Sequence, residues 1–206
     1  MPRISVERLI VGEIGVNCYI VENTETKQCF VVDPGADANR IRARIGDRTP
    51  VAVLLTHGHF DHIGAVDALC SHYGIPAYIH AADAPKLCDA RANVSAMFGM
   101  PMVQKTVPVT IAEDEVLHVA GIALRVLHTP GHSAGSVCYL LPEGEGILTG
   151  DTLFAHGYGR TDFPDGDFGA LYASLRRLMK LTPKMITYPG HDAFGAVGHD
   201  PAEVNA

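Results

Sequence analysis

Residues 54–62 read Leu-Leu-Thr-His-Gly-His-Phe-Asp-His, and this block constrains the chain more than any other. Three imidazoles and one carboxylate fall within six residues, directly after the apolar run Val51 to Leu55. Each is costly to bury without a partner. Together they are the donor types that hold Zn, Fe, Mn and related divalent ions. A solvated, histidine-rich loop is the bland alternative. It explains a lone His-x-His better than it explains four donors at the end of a buried strand. In a turn, His57 and His59 can face one ion while Asp61 and His62, at the start of the following helix, face another. An Asp at that position is expected to accept backbone hydrogen bonds that fix its orientation.

The pattern recurs three more times: an apolar strand runs into a small or Pro-Gly turn that carries His or Asp. The instances are residues 126–132 ending Pro130-Gly131-His132, residues 148–151 ending Gly150-Asp151, and residues 186–191 ending Pro189-Gly190-His191. Sites in α/β proteins gather at strand ends, where loops project side chains from a rigid sheet.

Alternation and punctuation give the remaining elements. Arg3 to Val11, Asn17 to Glu22 and Cys29 to Asp33 read as hairpin strands, followed by a short helix over Asp37 to Ile45. Pro50 precedes the strand Val51 to Leu55, whose apolar run suits burial on both faces. Ile63, Val66, Leu69, Cys70 and Tyr73 recur at helical spacing, and Gly74 with Pro76 ends that helix. Ala77 to His80 is a short strand; residues 81–107 carry no clear period and read as short helices and a loop. Strand character returns at Val116 to Val119, Ile122 to His128, Ser136 to Leu141 and Ile147 to Thr149, with turns at Gly121 and 143–146. A second amphipathic helix spans Phe168 to Leu181, and the last strand is Met185 to Tyr188 before a polar tail. The length of 206 residues and the lack of any linker or repeat predict one mixed α/β domain, residues 1–206.

The Thr-His-x-His-x-Asp-His block, followed in order by Pro-Gly-His, Gly-Asp and a second Pro-Gly-His, resembles the metallo-β-lactamase superfamily. Within it, the chain is similar to the glyoxalase II (hydroxyacylglutathione hydrolase)-like branch from about Asn17 to His191, including the stretch Gly159-Arg160-Thr161-Asp162-Phe163. The resemblance implies an αββα sandwich, two mixed β-sheets flanked by helices. It implies one metal held by His57, His59 and His132, a second by Asp61, His62 and His191, and Asp151 bridging the two. Spacing alone does not give that partition. Asp33 matches the family's first, non-ligand Asp and is implied to support the metal loop. Two divalent ions per chain are implied, Zn first, with Fe or Mn competing because Asp151 is a hard carboxylate. A true β-lactamase, whose pattern carries Cys at that place, is not expected for the same reason.

The activity implied is hydrolysis of a small-molecule thioester, a glutathione conjugate among the candidates, by attack of a metal-bridging hydroxide. Such a site lowers the pKa of bound water towards ~7, and a thiolate of pKa ~8.5 leaves with little help. Asp61 is the candidate catalytic residue, aiming the hydroxide. Tyr158, Arg160 and Lys105 are candidates for gripping a substrate carboxylate, with surface charge or turn packing an equal reading. The tail after His191 holds no Lys or Arg, so the basic C-terminal helical region of glyoxalase II is not expected. Two alternatives stay open. Persulfide dioxygenases are similar over the same core and imply one iron on His57, His132 and Asp151; Phe60 favours the hydrolase, since a small residue is expected there in the dioxygenase pattern. A non-catalytic metal-binding member is the other.

Composition excludes further classes. A net charge of −7, with Lys and Arg scattered, lacks the footprint of a nucleic-acid binder. No apolar run reaches the ~18 residues of a membrane span, and the first residues do not read as a signal peptide. Five cysteines without Cys-x-x-Cys spacing suit a reducing, cytoplasmic setting. Cys29, Cys138 and Cys70 are expected in the core. His72, His80, His118 and His199 are expected at the surface or in packing, and His128 and His156 near the site. The sequence does not set the oligomeric state.

Overall fold

Alternation along the central strands dictates the layering. In the strand Gln28–Val32, Cys29 and Val31 pack into one apolar cluster while Phe30 and Val32 pack into another. A strand buried on both faces lies between two layers. The computed structural model describes residues 2–142, 145–181, 185–192 and 195–196. It is an αββα sandwich of two six-stranded mixed sheets.

The first sheet has the order β1-β2-β3-β4-β5-β6, from Ile4–Val11, Val16–Asn23, Gln28–Val32, Thr49–Leu54, Ala77–His80 and Val109–Ile111. Its first three strands are antiparallel and β3 to β6 are parallel. The second sheet has the order β12-β11-β10-β9-β8-β7, from Gly195–Ala196, Ile186–Pro189, Ile147–Gly150, Val137–Leu140, Ile122–His128 and Val116–Val119. Only β10 and β11 are parallel there. Tyr19, Phe30 and Leu54 of the first sheet meet Leu124, Val126 and Tyr139 of the second, and each fully buried side chain of this size stabilises by about 1.5–3 kcal/mol. Helix α1 (Ala38–Ile45), through Ile41 and Ile45, and α3 (Val66–Tyr73), through Val66 and Leu69, cover the first sheet. Helix α4 (Phe168–Leu181), through Leu171, Leu175 and Leu178, covers the second. Cys29, Cys70 and Cys138 are buried free thiols, as their apolar runs predict.

Three local readings change. Pro50 lies inside β4 rather than before it, tolerated because it faces Cys29 where the register shifts. The helix read over 63–73 is two: α2 (Phe60–Ile63) stops because the Ala65 N–H donates to the Pro34 carbonyl at 2.8 Å instead of continuing the ladder. Strands β6 and β12 were not foreseen; three and two residues are too few to show a period. The 143–146 turn, the polar tail and His199 fall partly or wholly outside the described residues. No helix among the described residues is long and apolar enough to cross a membrane.

Two tyrosine hydroxyls stitch the sheets together. Tyr139 on β9 donates to the Leu55 carbonyl at the end of β4 at 2.7 Å, and Tyr19 on β2 donates to the Pro189 carbonyl of β11 at 2.7 Å. Tyr139→Phe removes the donor from a buried carbonyl while keeping the ring. It is expected to lower unfolding free energy by about 1–2 kcal/mol, read from urea denaturation, with the circular dichroism spectrum of the native state unchanged.

Candidate metal centre

Five strands end at one edge of the sandwich. Asp33 follows β3, His57 and His59 follow β4, His132 lies on the turn after β8, Asp151 follows β10, and His191 follows β11. Asp61 and His62 lie on α2. Asp33, buried and held at φ 48°, is the hub beneath them. Its Oδ1 accepts from the Thr56 N–H at 2.8 Å, and its Oδ2 accepts from the Thr56 hydroxyl at 2.6 Å. Nδ1 of His62 stands 3.1 Å from the same Oδ2, and Nδ1 of His57 stands 3.1 Å from the Thr56 hydroxyl. With both oxygens acting as acceptors, His57 and His62 are set with Nδ1 protonated and Nε2 lone pairs facing the cluster. His132 is set likewise, since its Nδ1 lies 2.8 Å from the Arg160 carbonyl.

Two triads result. His57, His59 and His132 form one and Asp61, His62 and His191 the other, with donor atoms within 4.8 Å of one another in each. Asp151 lies between them: Oδ2 is 3.5 Å from Nε2 of both His132 and His191, and Oδ1 is 3.5 Å from Nε2 of His62. Asp61 Oδ2 is 3.4 Å from His191 Nε2. Two donors ~2.1 Å from one tetrahedral ion stand ~3.4 Å apart, so these separations suit shared cations. Nε2 of His57, Nε2 of His62 and Oδ1 of Asp151 are buried without a hydrogen-bond partner. Each such atom costs about 1–3 kcal/mol, and two divalent ions, one in each triad, would satisfy them. The donor set fits the group.

The protonation states agree for His57, His59 and His132; His62 differs, its Nε2 holding a proton that a bound cation would replace. Burial, together with neighbouring imidazoles, holds His57 and His59 well below the usual range. Burial also lowers His132, against the pull of Asp151. Burial opposes a charge on His62 too, but Asp151, Asp61 and Asp33 push it up to about 10. Burial alone would raise Asp61; His62 and His191 outweigh it and hold the carboxylate ionised.

Glycines admit the close approaches. A Cβ on Gly190 would lie 2.2 Å from Asp151 Oδ1, and Gly150, at φ 50°, would meet the Thr56 hydroxyl at 2.3 Å. The expected backbone hydrogen bonds to Asp61 are not made; it sits one residue past the first helical position, and its partners are His62 and His191. Arg160 lines the cavity above the triads, with its guanidinium 4.4 Å over the Phe163 ring and paired to Asp162 at 2.6 Å. Tyr158 and Lys105 do not line it. Tyr158 turns away to pack on Phe168 and the α4 cluster, and Lys105 is exposed on a segment tied by its backbone to Asp67. His128 stacks on His80 at 4.1 Å outside the triads, and His156 is exposed.

Asp83 was missed. Fully buried, it accepts from the N–H of Gly58 at 2.8 Å, the N–H of Gly135 at 2.7 Å and the Ser133 hydroxyl at 2.7 Å. It thus clamps the His57–His59 loop to the His132 turn. Lys86 backs it, 3.4 Å from Asp83 and 2.6 Å from Asp165. No period marks these positions; an Asp in a patternless segment reads as surface.

The profile of the Metallo-beta-lactamase superfamily matches residues 11–191, which include every one of these side chains. The chain belongs to the metallo-β-lactamase superfamily. It is 37% identical to a probable metallo-hydrolase, YqgX, of Bacillus subtilis over 94% of this chain and 89% of that one. It is 33% identical to hydroxyacylglutathione hydrolase GloC of Haemophilus influenzae, over 95% and 94%. Among solved structures, the BLEG-1 B3 metallo-beta-lactamase superposes with a TM-score of 0.91 at 34% identity, covering 97% and 99%. TTHA1623 in a di-iron-bound form superposes with a TM-score of 0.82 at 36% identity, covering 93% and 94%. Membership in this superfamily makes the chain a divalent-metal-binding protein of hydrolase type.

Two outcomes follow from this geometry. Gly190→Ala is expected to displace Asp151 or His62 and to cut metal content by more than half in elemental analysis of purified protein. The second concerns pH. His57, His59 and His132 have lowered folded-state values, so their contribution to stability is present above the free-imidazole value of ~6.5 and lost as pH falls through it. His62 runs the other way: its contribution is complete below ~6.5 and lost as pH rises towards about 10. Chelator-treated protein should therefore show its highest thermal midpoint near neutrality. Metal loading should flatten the alkaline limb, because the ion replaces the His62 proton. A midpoint that rises as pH is lowered from 7 to 5 would contradict this assignment.

Proposed function

We propose that the protein is a binuclear metallohydrolase that cleaves thioesters of the hydroxyacylglutathione type. The observation that carries the reading is the single carboxylate, Asp151, standing 3.5 Å from donors of both triads. His57, His59 and His132 would hold one divalent ion, Asp61, His62 and His191 the other, with Asp151 shared. Zn is the first candidate and Fe or Mn the next; TTHA1623, at 36% identity, is a di-iron protein in its solved form. Bound together, two such cations supply a nucleophile from water at neutral pH and a Lewis-acid hold on the developing oxyanion.

The chain's own residues do the rest. Burial keeps His57, His59 and His132 neutral, so their lone pairs are available as donors without deprotonation at working pH. Asp61, ionised and at the edge of the cavity, is placed to accept a hydrogen bond from an attacking water and to aim it at the acyl carbon. The Asp33–Thr56 pair fixes His57 and His62 against rotation. Phe60, Phe98 and Phe163 wall the cavity and limit water around the reacting carbon. A thiolate leaving group needs no acid, and the lining offers no obvious one. The GloC relative supports the thioester, and five free cysteines support a reducing cytoplasm. The complete second triad argues against a site limited to one iron on His57, His132 and Asp151.

Metal counting and three assays test the reading: thiol release from S-lactoylglutathione, oxygen uptake with glutathione persulfide, and hydrolysis of a chromogenic cephalosporin. Two metals per chain with the first activity are expected. One iron with the second would make it a dioxygenase, and turnover of the cephalosporin alone a β-lactamase. Asp61→Ala is expected to lower kcat by at least about 100-fold, and His132→Ala and Asp151→Ala to lose metal as well. Undiminished turnover after complete metal removal would end the proposal.

A further inference from the structure

The segment without a sequence pattern, residues 81–107, builds one wall of a cavity of about 520 Å³ that opens onto the triads. Apart from the metal donors and Arg160, its side-chain lining is apolar, chiefly Ile14, Phe60, Phe98, Met100, Phe154 and Phe163. Ile14, Phe98 and Met100 are each about half exposed, at 46%, 48% and 50%, an unusual cost for large apolar side chains at one mouth. Exposed apolar surface grouped around a cleft marks a ligand groove. A second hollow of about 480 Å³ adjoins it across Ile14, Phe60 and Met100 and extends the groove past Met102, with Glu13 and Asp37 also in its lining.

The wall is held in place. Asn93 donates from Nδ2 to the carbonyls of Lys86 and Met102 at 3.1 and 2.9 Å, and its Oδ1 accepts from the Ser95 N–H at 3.0 Å. Its own carbonyl accepts from the N–H of Phe60, at the start of the helix carrying Asp61 and His62, at 3.0 Å. Val94, which lines the cavity, has φ 62°, a strained conformation for a β-branched residue that persists only where the surroundings enforce it. Phe98 packs on Phe60 with ring centroids 5.3 Å apart. The apolar surface is therefore fixed relative to the metal donors.

We infer that this wall binds the acyl group, and that the substrates are thioesters of apolar acyl groups, medium-chain or aryl, in preference to short hydroxyacyl groups. The inference rests on the thioesterase reading above. In the cavity above the triads a hydroxyacyl oxygen would find no free polar side chain beyond the metal donors; Glu13 and Asp37 line only the adjoining hollow, and Asp37 is engaged by the Gly12 N–H and Arg40. The polar groups lining the cavity are the metal donors and Arg160, which Asp162 already engages through two hydrogen bonds of 2.6 Å. A medium chain or aromatic ring instead covers Phe98, Met100 and Ile14 and removes them from water.

The test keeps the thiol constant and varies the acyl group: S-lactoyl-, S-acetyl-, S-hexanoyl- and S-phenylacetylglutathione with the metal-loaded enzyme. Hexanoyl and phenylacetyl are expected to exceed lactoyl in kcat/KM by about tenfold or more. Phe98→Ala and, separately, Met100→Ala are expected to collapse that ratio; because each variant is its own control, a general loss of activity does not mimic the result. Calorimetry on chelator-treated protein gives a readout free of turnover: S-hexylglutathione, a thioether that cannot be cleaved, should bind at least about tenfold more tightly than S-methylglutathione. Cleavage of all four at similar kcat/KM, or of lactoyl fastest, overturns this inference and leaves the hydrolase standing. Cleavage of none overturns the thioesterase reading, and this inference with it.

Discussion

The Asp33 carboxylate is where the fold and the site become one object. It ends β3, the strand whose two faces feed both the intersheet core and the helix-covered layer, and it is bonded to Thr56 at the end of β4. Through the Thr56 hydroxyl it sets His57, and directly it sets His62, one imidazole from each triad. A charge buried this deeply is tolerated because each oxygen has donors. If either β3 or β4 shifted by one residue, Asp33 would lose those donors and both triads would lose a correctly oriented ring. The register of the first sheet is thus tied to the chemistry at its edge.

Asp83 performs the complementary task between the sheets. Its three hydrogen bonds join the loop after β4 to the turn after β8, one from each sheet, so His59 and His132 approach to 2.9 Å between Nδ1 and Nε2. Two lone-pair donors that close repel unless a proton or a cation lies between them. Here the two nitrogens stand at hydrogen-bonding distance and the clamp fixes that separation, which is the preorganisation a metal site requires. The tyrosine hydroxyls of Tyr19 and Tyr139 brace the same junction from the core side.

Much of this was legible from residues alone because the relevant signals are short and dense. Cys29 to Asp33 and Val51 to Leu55 are apolar runs with a stop, and the four His- or Asp-bearing turns sit at the ends of such runs. The seven donors named from the sequence resemblance all come to one edge of the sandwich, and Asp33 lies beneath them as expected of a supporting residue. What stayed hidden is what irregular backbone contributes. Asp83, Asn93 and Phe98 act through tertiary hydrogen bonds and ring contacts, and no periodicity advertises those. Tyr158 and Lys105 lie off the cavity: proximity in sequence to a motif, or a positive charge, says nothing about which way a side chain turns. Arg160 does face the cavity, but its charge is engaged by a neighbour two residues away.

The division of labour has a physical logic. Donors for a cation need fixed angles, and strand ends in a close-packed sandwich supply them. A surface for a variable apolar group needs area and shape more than direction, which 3-10 turns and loops supply at lower cost in sheet register. Strain gathers where the two meet: Val94 at φ 62° lies beside Phe60, one residue before Asp61. Relaxing Val94 into an ordinary conformation would move the Asn93 carbonyl off the Phe60 N–H and loosen the start of the helix that carries Asp61 and His62. The conformation of the substrate wall and the orientation of the metal donors are therefore mechanically coupled. Changes in this loop should alter both how the acyl group is held and how well the second triad is formed.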